Sequence, residues 1–256
     1  MKVSIITVVY NGAATIVDCI ESVASQTYPD IEHIIIDGAS SDGTQEIIKK
    51  HEKHISAWSS ESDNGIYDAM NKGITMSGGD IIGILNSDDI YAYDSVLTNV
   101  AKAISESGAE SCYADLVFVD RQDTDSVVRT WQSGPYEKKR FSAGWMPPHP
   151  TFFVKRSVYE KYGLLNLDFP LAADYELMLR FLYKHEISTT YIPEVLVKMR
   201  TGGTSRPGMY TFKSLLENYR AWKVNGLSYP PAMLQKPFSK VFQYLNTTHK
   251  AVKRER

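Results

Sequence analysis

Two adjacent aspartates, Asp88 and Asp89, follow a short apolar run in the sequence, with Asn86 and Ser87 between. Carboxylate oxygens are ligands that Mg²⁺ and Mn²⁺ prefer, and a cation held there can neutralise charge on a phosphorylated ligand. Two acids after a strand can equally solvate a turn or cap the next helix. The pair therefore indicates a divalent metal site only where other polar residues converge on it.

Asn11 and Asp37 follow two other apolar runs, at 4–10 and 34–36. The Asp37 carboxylate can accept a hydrogen bond from a nucleotide base, although an Asx-turn leading into the next helix explains the same residue. The first run is followed by Asn11-Gly12-Ala13-Ala14. This turn matches neither the glycine fingerprint of dinucleotide sites nor the phosphate-binding P-loop, so both are excluded.

The second half of the sequence contributes three candidates. Asp174 begins a predicted helix, where its carboxylate is rigidly placed to act as a general base, although N-capping accounts for the position as well. His149 lies in a proline-rich stretch at 147–150 and can contact a substrate or metal or serve the structure alone. Arg200 precedes a glycine-rich loop at 201–205, and it can meet an anionic ligand when that loop closes or belong to a surface turn.

Alternating apolar and amphipathic segments must position these residues. We predict strands at 4–10, 34–36, 55–59 and 81–85, with helices at 16–26, 44–50 and 66–77. This alternation is typical of an α/β fold with a mainly parallel sheet, in which ligands bind outside the carboxyl ends of the strands. Asn11, Asp37 and Asp88 follow three such strands, so we expect their side chains to meet at one edge of the sheet.

The order beyond residue 110 is less regular. The pattern predicts strands at 111–119 and 127–131, a loop rich in glycine and proline at 144–150, and helices beginning near Ser157 and Asp174. Basic residues then alternate with apolar ones from about residue 231 to the last residue, 256. This tail either lies on an anionic membrane surface or is a solvated end.

Composition limits the classes of function. The chain has 256 residues, 43% of them hydrophobic, and its net charge of −2 argues against a protein that binds nucleic acid. Its two cysteines, Cys19 and Cys112, are too few for a disulfide framework, which favours a reducing, cytoplasmic compartment. We expect neither a signal peptide nor a membrane span, because the apolar runs are too short.

Four motifs in a fixed order resemble those of the family 2 glycosyltransferases, over a similarity spanning about 1–205. They are IITVVYN at 5–11, IDGASSDGT at 36–44, DNGIYDAMNKG at 63–73 and LNSDD at 85–89. The resemblance implies a GT-A fold, a donor that is a nucleoside-diphosphate sugar (above all a UDP-sugar), Mg²⁺ or Mn²⁺ as cofactor, and inversion at the anomeric carbon. It also implies one domain over 1–230, with a donor half at about 1–110 and an acceptor half at about 111–230.

The resemblance assigns a role to each matching residue. Nucleotide-sugar binding is implied for Thr7, Val9, Asn11, Asp37, Asp63, Asn71 and Asp88. Metal binding is implied for Asp88 with Asp89 beside it, and removal of the acceptor proton for Asp174. Contact with the acceptor or the diphosphate is the role we predict for His149 and Arg200.

Three departures from the family pattern each remove a carboxylate. Where the family has two acids separated by one residue, this sequence has Asn86-Ser87-Asp88. The pair of acids after the second strand is here Asp37-Gly38, and the Glu-Asp motif that contains the base is here Ala173-Asp174. No histidine follows at 195–200, where some relatives have a metal ligand. We therefore expect the metal to arrive with the donor.

The acceptor implied by the resemblance is a hydroxyl of a glycan or of a polyprenyl-diphosphate-linked glycan in bacterial surface polysaccharide synthesis. The enzyme would then work on the cytoplasmic side, peripherally at the plasma membrane. Two alternatives stay open, a sugar-1-phosphate nucleotidyltransferase and a non-catalytic protein that binds nucleotide sugars. The first needs a basic, glycine-rich first loop, which the turn at 11–14 does not provide.

Overall fold

The computed structural model describes residues 1–202 and 210–227, which form an α/β fold. Each strand and helix predicted before residue 90 is present, with ends that differ by a few residues. These elements are β1 (Val3–Val9), α1 (Ile16–Ala24), β2 (Ile31–Asp37), α2 (Thr44–Lys50), β3 (Ala57–Ser60), α3 (Ile66–Met76) and β4 (Ile81–Ile84).

The rest of the chain contains elements that the sequence pattern predicted only in part. They are β5 (Asp89–Tyr91), α4 (Val96–Ser107), β6 (Ser111–Val119), β7 (Val127–Trp131), β8 (Phe153–Lys155), α5 (Arg156–Tyr162), α6 (Ala173–Met178), β9 (Thr189–Arg200) and α7 (Tyr210–Val224). The predicted strands at 111–119 and 127–131 are confirmed as β6 and β7. Helix α6 continues as a π-helical segment over Leu179–Lys184.

One mixed sheet contains the nine strands of the described residues, in the order β3-β2-β1-β4-β8-β6-β9-β5, with β7 paired to β6. The first four strands are parallel to one another. Strand β8 is antiparallel to both β4 and β6, so β6 and its parallel neighbour β9 run in the same direction as the first four strands. The prediction of a mainly parallel sheet is therefore confirmed, although β5, β7 and β8 run in the opposite direction and make the sheet mixed. Because β8 joins β4 to β6, the two predicted halves share this sheet.

Strand β1 is buried along its whole length because helices cover both faces of the sheet around it. Ile5 packs in a cluster with α1 and α4, whereas Ile6 packs in a second cluster with α3. Helix α3 approaches closely at Gly73, where an added Cβ would lie 2.3 Å from Cγ2 of Ile6. This packing fixes the carboxyl end of β1 relative to its neighbours.

The predicted tail at 231–256 lies outside the described residues. In the part of the chain that is described, we find no helix with the length and apolar character needed to cross a bilayer.

Candidate active site

The ends of β1 and β2 meet as the sequence predicted. Val9 pairs with Asp37 in the parallel register, so the loops after both strands leave the sheet side by side. Asn11 adopts a left-handed conformation with φ of 51°, which asparagine tolerates better than most residues. Its backbone N–H donates to Oγ of Ser40 at 2.7 Å, and its Oδ1 accepts from the N–H of Ser41 at 3.0 Å. These bonds hold the two loops together.

Asp37 presents a buried acceptor at this junction. Its Oδ2 accepts from the N–H of Ser40 at 3.0 Å and from the hydroxyl of Ser60 at 2.6 Å. Its Oδ1 is buried without a hydrogen-bond partner. Because an unpaired buried carboxylate oxygen is costly, this atom is suited to accept a hydrogen bond from a ligand.

Asp63 and Tyr10 flank the same junction. An added Cβ at Gly38 would lie 2.7 Å from Oδ2 of Asp63 and 3.4 Å from the Tyr10 ring. Tyr10 is 69% exposed although it directly follows the buried strand β1. Sequence analysis did not single out Tyr10, yet an aromatic residue before an Asn-Gly turn at a strand end was a signal that could have identified it.

The turn after β4 holds the predicted metal ligands in two different environments. Asp88 is half-buried, whereas Asp89 is fully buried. The Asn86 side chain donates to Oδ2 of Asp89 at 3.2 Å, and Oδ1 of each of these two residues is buried without a partner. Burial, followed by the neighbouring charge of Asp88, raises the pKa of Asp89 to about 8. Among the described residues, no three His, Cys, Asp or Glu side chains are grouped to hold a metal.

The Arg200 side chain, which we expected to contact the acceptor or the diphosphate, is bonded within the protein instead. Its side chain is buried, forms an ion pair with Asp18 of α1, and donates from Nη1 to the carbonyl of Asp88 at 3.0 Å. Its Nε donates to the carbonyl of Arg121 at 3.1 Å. The guanidinium is thus committed to fastening the Asp88 turn to α1, and Asp18 is a residue that sequence reasoning missed.

Three other residues predicted to contact the nucleotide have side chains that are buried or hydrogen-bonded within the fold. The Thr7 hydroxyl is fully buried and lies 3.0 Å from Nε2 of His33, so it cannot line an open site. Asn71 accepts from the N–H of Leu165 and donates to its carbonyl, both at 2.9 Å, which ties α3 to the acceptor half. Val9 is 5% exposed, so its side chain belongs largely to the core.

Asp174 lies at the start of α6 and is joined to the donor half by Tyr67. The Tyr67 hydroxyl donates to Oδ1 of Asp174 at 2.9 Å across a separation of 107 residues. Burial and the adjacent carboxylate raise the pKa of Tyr67, so its hydroxyl stays a donor. His149 is half-buried near Asp174, and burial lowers its pKa while the Asp174 charge opposes that shift. Sequence reasoning did not identify Tyr67.

Helix α7 braces the segment around Asp174. Glu217 accepts from the N–H of Leu171 at 2.8 Å, and the Trp222 indole donates to the hydroxyl of Tyr175 at 2.6 Å. Asn225, just beyond the helix, donates to Glu176 at 3.1 Å. These bonds lie on both sides of Asp174 in the sequence, so α7 fixes the backbone that carries it.

Comparison with solved structures agrees with this architecture. TarS of S. aureus superposes with a TM-score of 0.70 at 16% identity, covering 100% of this chain and 46% of TarS, so the chain spans about half of that protein. Its 1–349 fragment bound to UDP-GlcNAc gives 0.66 at 17% identity, with 100% and 76% coverage. The mannosyltransferase PcManGT of Pyrobaculum calidifontis, bound to GDP-Man and Mn²⁺, gives 0.66 at 14% identity, with 98% and 76% coverage. The fold is therefore GT-A, as predicted.

Sequence comparison identifies the family. The model of "Glycosyl transferase family 2" matches residues 4–163, which include β1 to β4 and the Asp88 turn. An uncharacterized glycosyltransferase of Mycobacterium tuberculosis is 34% identical over 180 residues, or 70% of this chain and 68% of that protein. The chain belongs to glycosyl transferase family 2.

Proposed function

We propose that the chain is an inverting glycosyltransferase that moves a sugar from a nucleoside-diphosphate sugar to a hydroxyl of a glycan or lipid-linked acceptor. The observation that carries this proposal is the bond between Tyr67 and Asp174. Tyr67 follows Asp63 by four residues, and Asp63 lies against the end of β2. A potential general base is therefore held next to the residues suited to bind the donor.

The donor end of the site would contact the nucleotide through four side chains. The unpartnered Oδ1 of Asp37 would accept the imide N–H of a uracil base, and the exposed ring of Tyr10 would stack on that base. Asp63 and Asn11 lie beside it, within reach of the ribose. The proteins of similar fold that bind UDP-GlcNAc and GDP-Man support a nucleotide sugar as the class of donor.

The residues of the Asp88 turn fit Mg²⁺ or Mn²⁺ when the diphosphate supplies further oxygens. Magnesium sites commonly use one or two carboxylates together with substrate phosphates. Half-buried Asp88 would be the direct ligand, and Asn86 and Asp89 of the same turn each hold a buried oxygen without a hydrogen-bond partner. A bound cation would stabilise the charge of the departing diphosphate. Because Asn86 is an amide where the family usually has a third acid, the cation would bind together with the donor.

Asp174 would remove the proton of the acceptor hydroxyl. Its Oδ1 accepts the Tyr67 bond, so Oδ2 is the oxygen that would take the proton. The acceptor oxygen then bonds to C1 of the sugar from the face opposite the diphosphate, and the bond from C1 to the diphosphate oxygen breaks. Because these groups are held by packed elements, the protein contributes mainly position and electrostatic stabilisation. His149, close to Asp174, would contact the acceptor.

A direct test measures release of nucleoside diphosphate from UDP-Glc, UDP-GlcNAc, dTDP-Glc and GDP-Man with Mn²⁺, with and without a polyprenyl-diphosphate-linked glycan. We expect Asp174→Asn to lower the rate by about a hundredfold or more, as for loss of a general base. Asp168→Asn is the matched control, because its exposed carboxylate lies six residues earlier. Donor binding without turnover would refute the proposal and favour a non-catalytic protein. Formation of nucleoside triphosphate from added pyrophosphate would instead favour a nucleotidyltransferase.

A further inference from the structure

The outward face of α7 carries an unusual combination of side chains. Lys213, Leu216, Arg220, Lys223 and Val224 are all exposed. Their spacing of three, four, three and one residues places them along one side of the helix. Leu216 and Val224 are 45% and 52% exposed, which is high for aliphatic side chains beside three cations.

The loop before Asp174 and the end of the π-helical segment extend this face. Arg220 donates to the carbonyl of Asp168 at 3.4 Å and its guanidinium lies 5.0 Å from the centre of the Phe169 ring. The neighbouring Leu167 is 48% exposed. On the other side, Lys184 donates to the carbonyl of Val224 at 3.5 Å. We call the resulting patch the α7 surface; it consists of Leu167, Lys184, Lys213, Leu216, Arg220, Lys223 and Val224.

Charge is distributed unevenly along the chain in a way that favours an anionic partner for this surface. Residues 1–110 contain 6 Lys and Arg against 17 Asp and Glu, whereas residues 111–230 contain 16 against 12. Glu217 of α7 accepts from the N–H of Leu171, and Asp168, beside Leu167, is an exposed acid at the edge of this surface. The α7 surface therefore presents cations within the more basic part of the protein.

We propose that the α7 surface docks on an anionic lipid bilayer. Interfacial helices combine lysine and arginine with isolated large aliphatic residues that enter the headgroup region. The long stems of Lys and Arg lie along that boundary while their charges reach the lipid phosphates. Three separate aliphatic side chains do not form the contiguous apolar patch that marks many protein contact sites.

Docking through this surface would bring the general base to the membrane. Leu171, which is bonded to Glu217 of α7, precedes Asp174 by three residues. A bilayer against α7 would thus lie beside the segment that carries the base, where a lipid-linked acceptor is presented. This consequence rests on the proposed function, whereas docking itself does not.

The test measures co-sedimentation of the full-length protein with vesicles of equal parts phosphatidylglycerol and phosphatidylcholine, and with phosphatidylcholine alone. We compare the triple variant Lys213→Gln, Arg220→Gln and Lys223→Gln with the wild type. Each basic residue near an anionic surface contributes about fivefold to binding, so we expect a loss of roughly a hundredfold. The loss should shrink in about 1 M salt, where the screening length is about 3 Å.

A matched control removes three exposed cations from the acidic half of the chain, by Lys49→Gln, Lys50→Gln and Lys53→Gln. We expect this variant to bind like the wild type. The double variant Leu167→Ser and Leu216→Ser should weaken binding at low and high salt alike. Equal loss in the control, or unchanged binding of the α7 triple variant, would overturn the proposal.

Vesicle binding and catalysis are measured separately. Donor hydrolysis without vesicles should be unchanged in the α7 variants, which also verifies that they are folded. Binding by a protein without transferase activity would support the α7 surface and refute the proposed function. Transferase activity in a protein that does not sediment with anionic vesicles would support the proposed function and refute docking through the α7 surface.

Discussion

Tyr67→Phe removes a single hydroxyl, the one that donates to Asp174 at 2.9 Å. A hydrogen bond to a charged group is worth about 1.5–3 kcal/mol, which corresponds to a rate factor of roughly 10 to 150 if it is fully lost from the reacting geometry. Tyr67 is partly buried, so water can replace only part of this bond. We therefore expect kcat to fall about tenfold to a hundredfold.

The donor constant KM should change little, because the phenol ring stays in place and the donor contacts lie at Asp37 and the Asp88 turn. The assay measures initial rates of transfer over a range of donor concentrations, together with thermal unfolding of each variant. Tyr191→Phe is the matched control, since the Tyr191 hydroxyl donates to Asp115 at 2.8 Å within the β6–β9 pair. It removes a tyrosine–aspartate bond of similar length without touching Asp174.

Two results would refute this reasoning about Tyr67. A Tyr67→Phe enzyme with the kcat of the wild type would show that the bond does not orient the base during the reaction. An equal fall in kcat for Tyr191→Phe would show that the effect is a general loss of stability. A rise in donor KM with unchanged kcat would instead place Tyr67 in donor binding.

Three further changes test other parts of the structure. Burial lowers the pKa of His33 to about 3, so folding excludes a proton that the unfolded chain binds below about pH 6.5. Because Asp89 also titrates in this range, the measurement is the difference between wild type and His33→Gln: on acidification from pH 7.5 to 5, the unfolding free energy of the wild type should fall by about 2 kcal/mol relative to the variant, by urea unfolding. Gly73→Ala should lower the unfolding free energy by about 1–3 kcal/mol because its Cβ would overlap Ile6, and a wild-type melting temperature would contradict that packing. Arg200→Met should raise the Mn²⁺ concentration needed for half-maximal activity, because the variant no longer holds the Asp88 turn against α1. Asp18→Asn should raise it to a smaller extent. An unchanged Mn²⁺ requirement would show that Arg200 does not position the metal site.

The first half of the fold was predictable because its strands are short β-branched runs separated by clear turn signals. Strand β1 and helix α2 lie within a residue of the predicted bounds. The second half of the fold was harder to predict. Strands β5 and β8 have three residues each, too few for a period to be detected, and β9 follows a π-helical segment that no periodicity indicates. Helix α4 is amphipathic and could have been recognised from its buried positions.

The site shows a similar division. Local sequence patterns correctly predicted that Asp37 lies at the end of a strand and that Asp174 lies at the start of a helix. The direction of the Thr7 side chain did not, because a strand buried on both faces does not reveal which residues point toward a site. The partners Tyr67 and Asp174 are 107 residues apart, and Asp18 and Arg200 are 182 apart, so nothing in a local pattern links them.

The three departures from the family pattern each have a counterpart in the packing. Asn86 donates to the buried Asp89, a bond that a third carboxylate at this position could not make.

Gly38 leaves the space that Oδ2 of Asp63 occupies, so a second carboxylate still lies beside Asp37 although it comes from another loop. Ala173 is fully buried in the core, where a glutamate would carry an unpaired charge. The lost carboxylate is thus replaced from another segment only at Gly38, by Asp63. A substitution that restores one family residue alone, such as Gly38→Asp, should therefore displace Asp63 and weaken donor binding, because both carboxylates would compete for the same space.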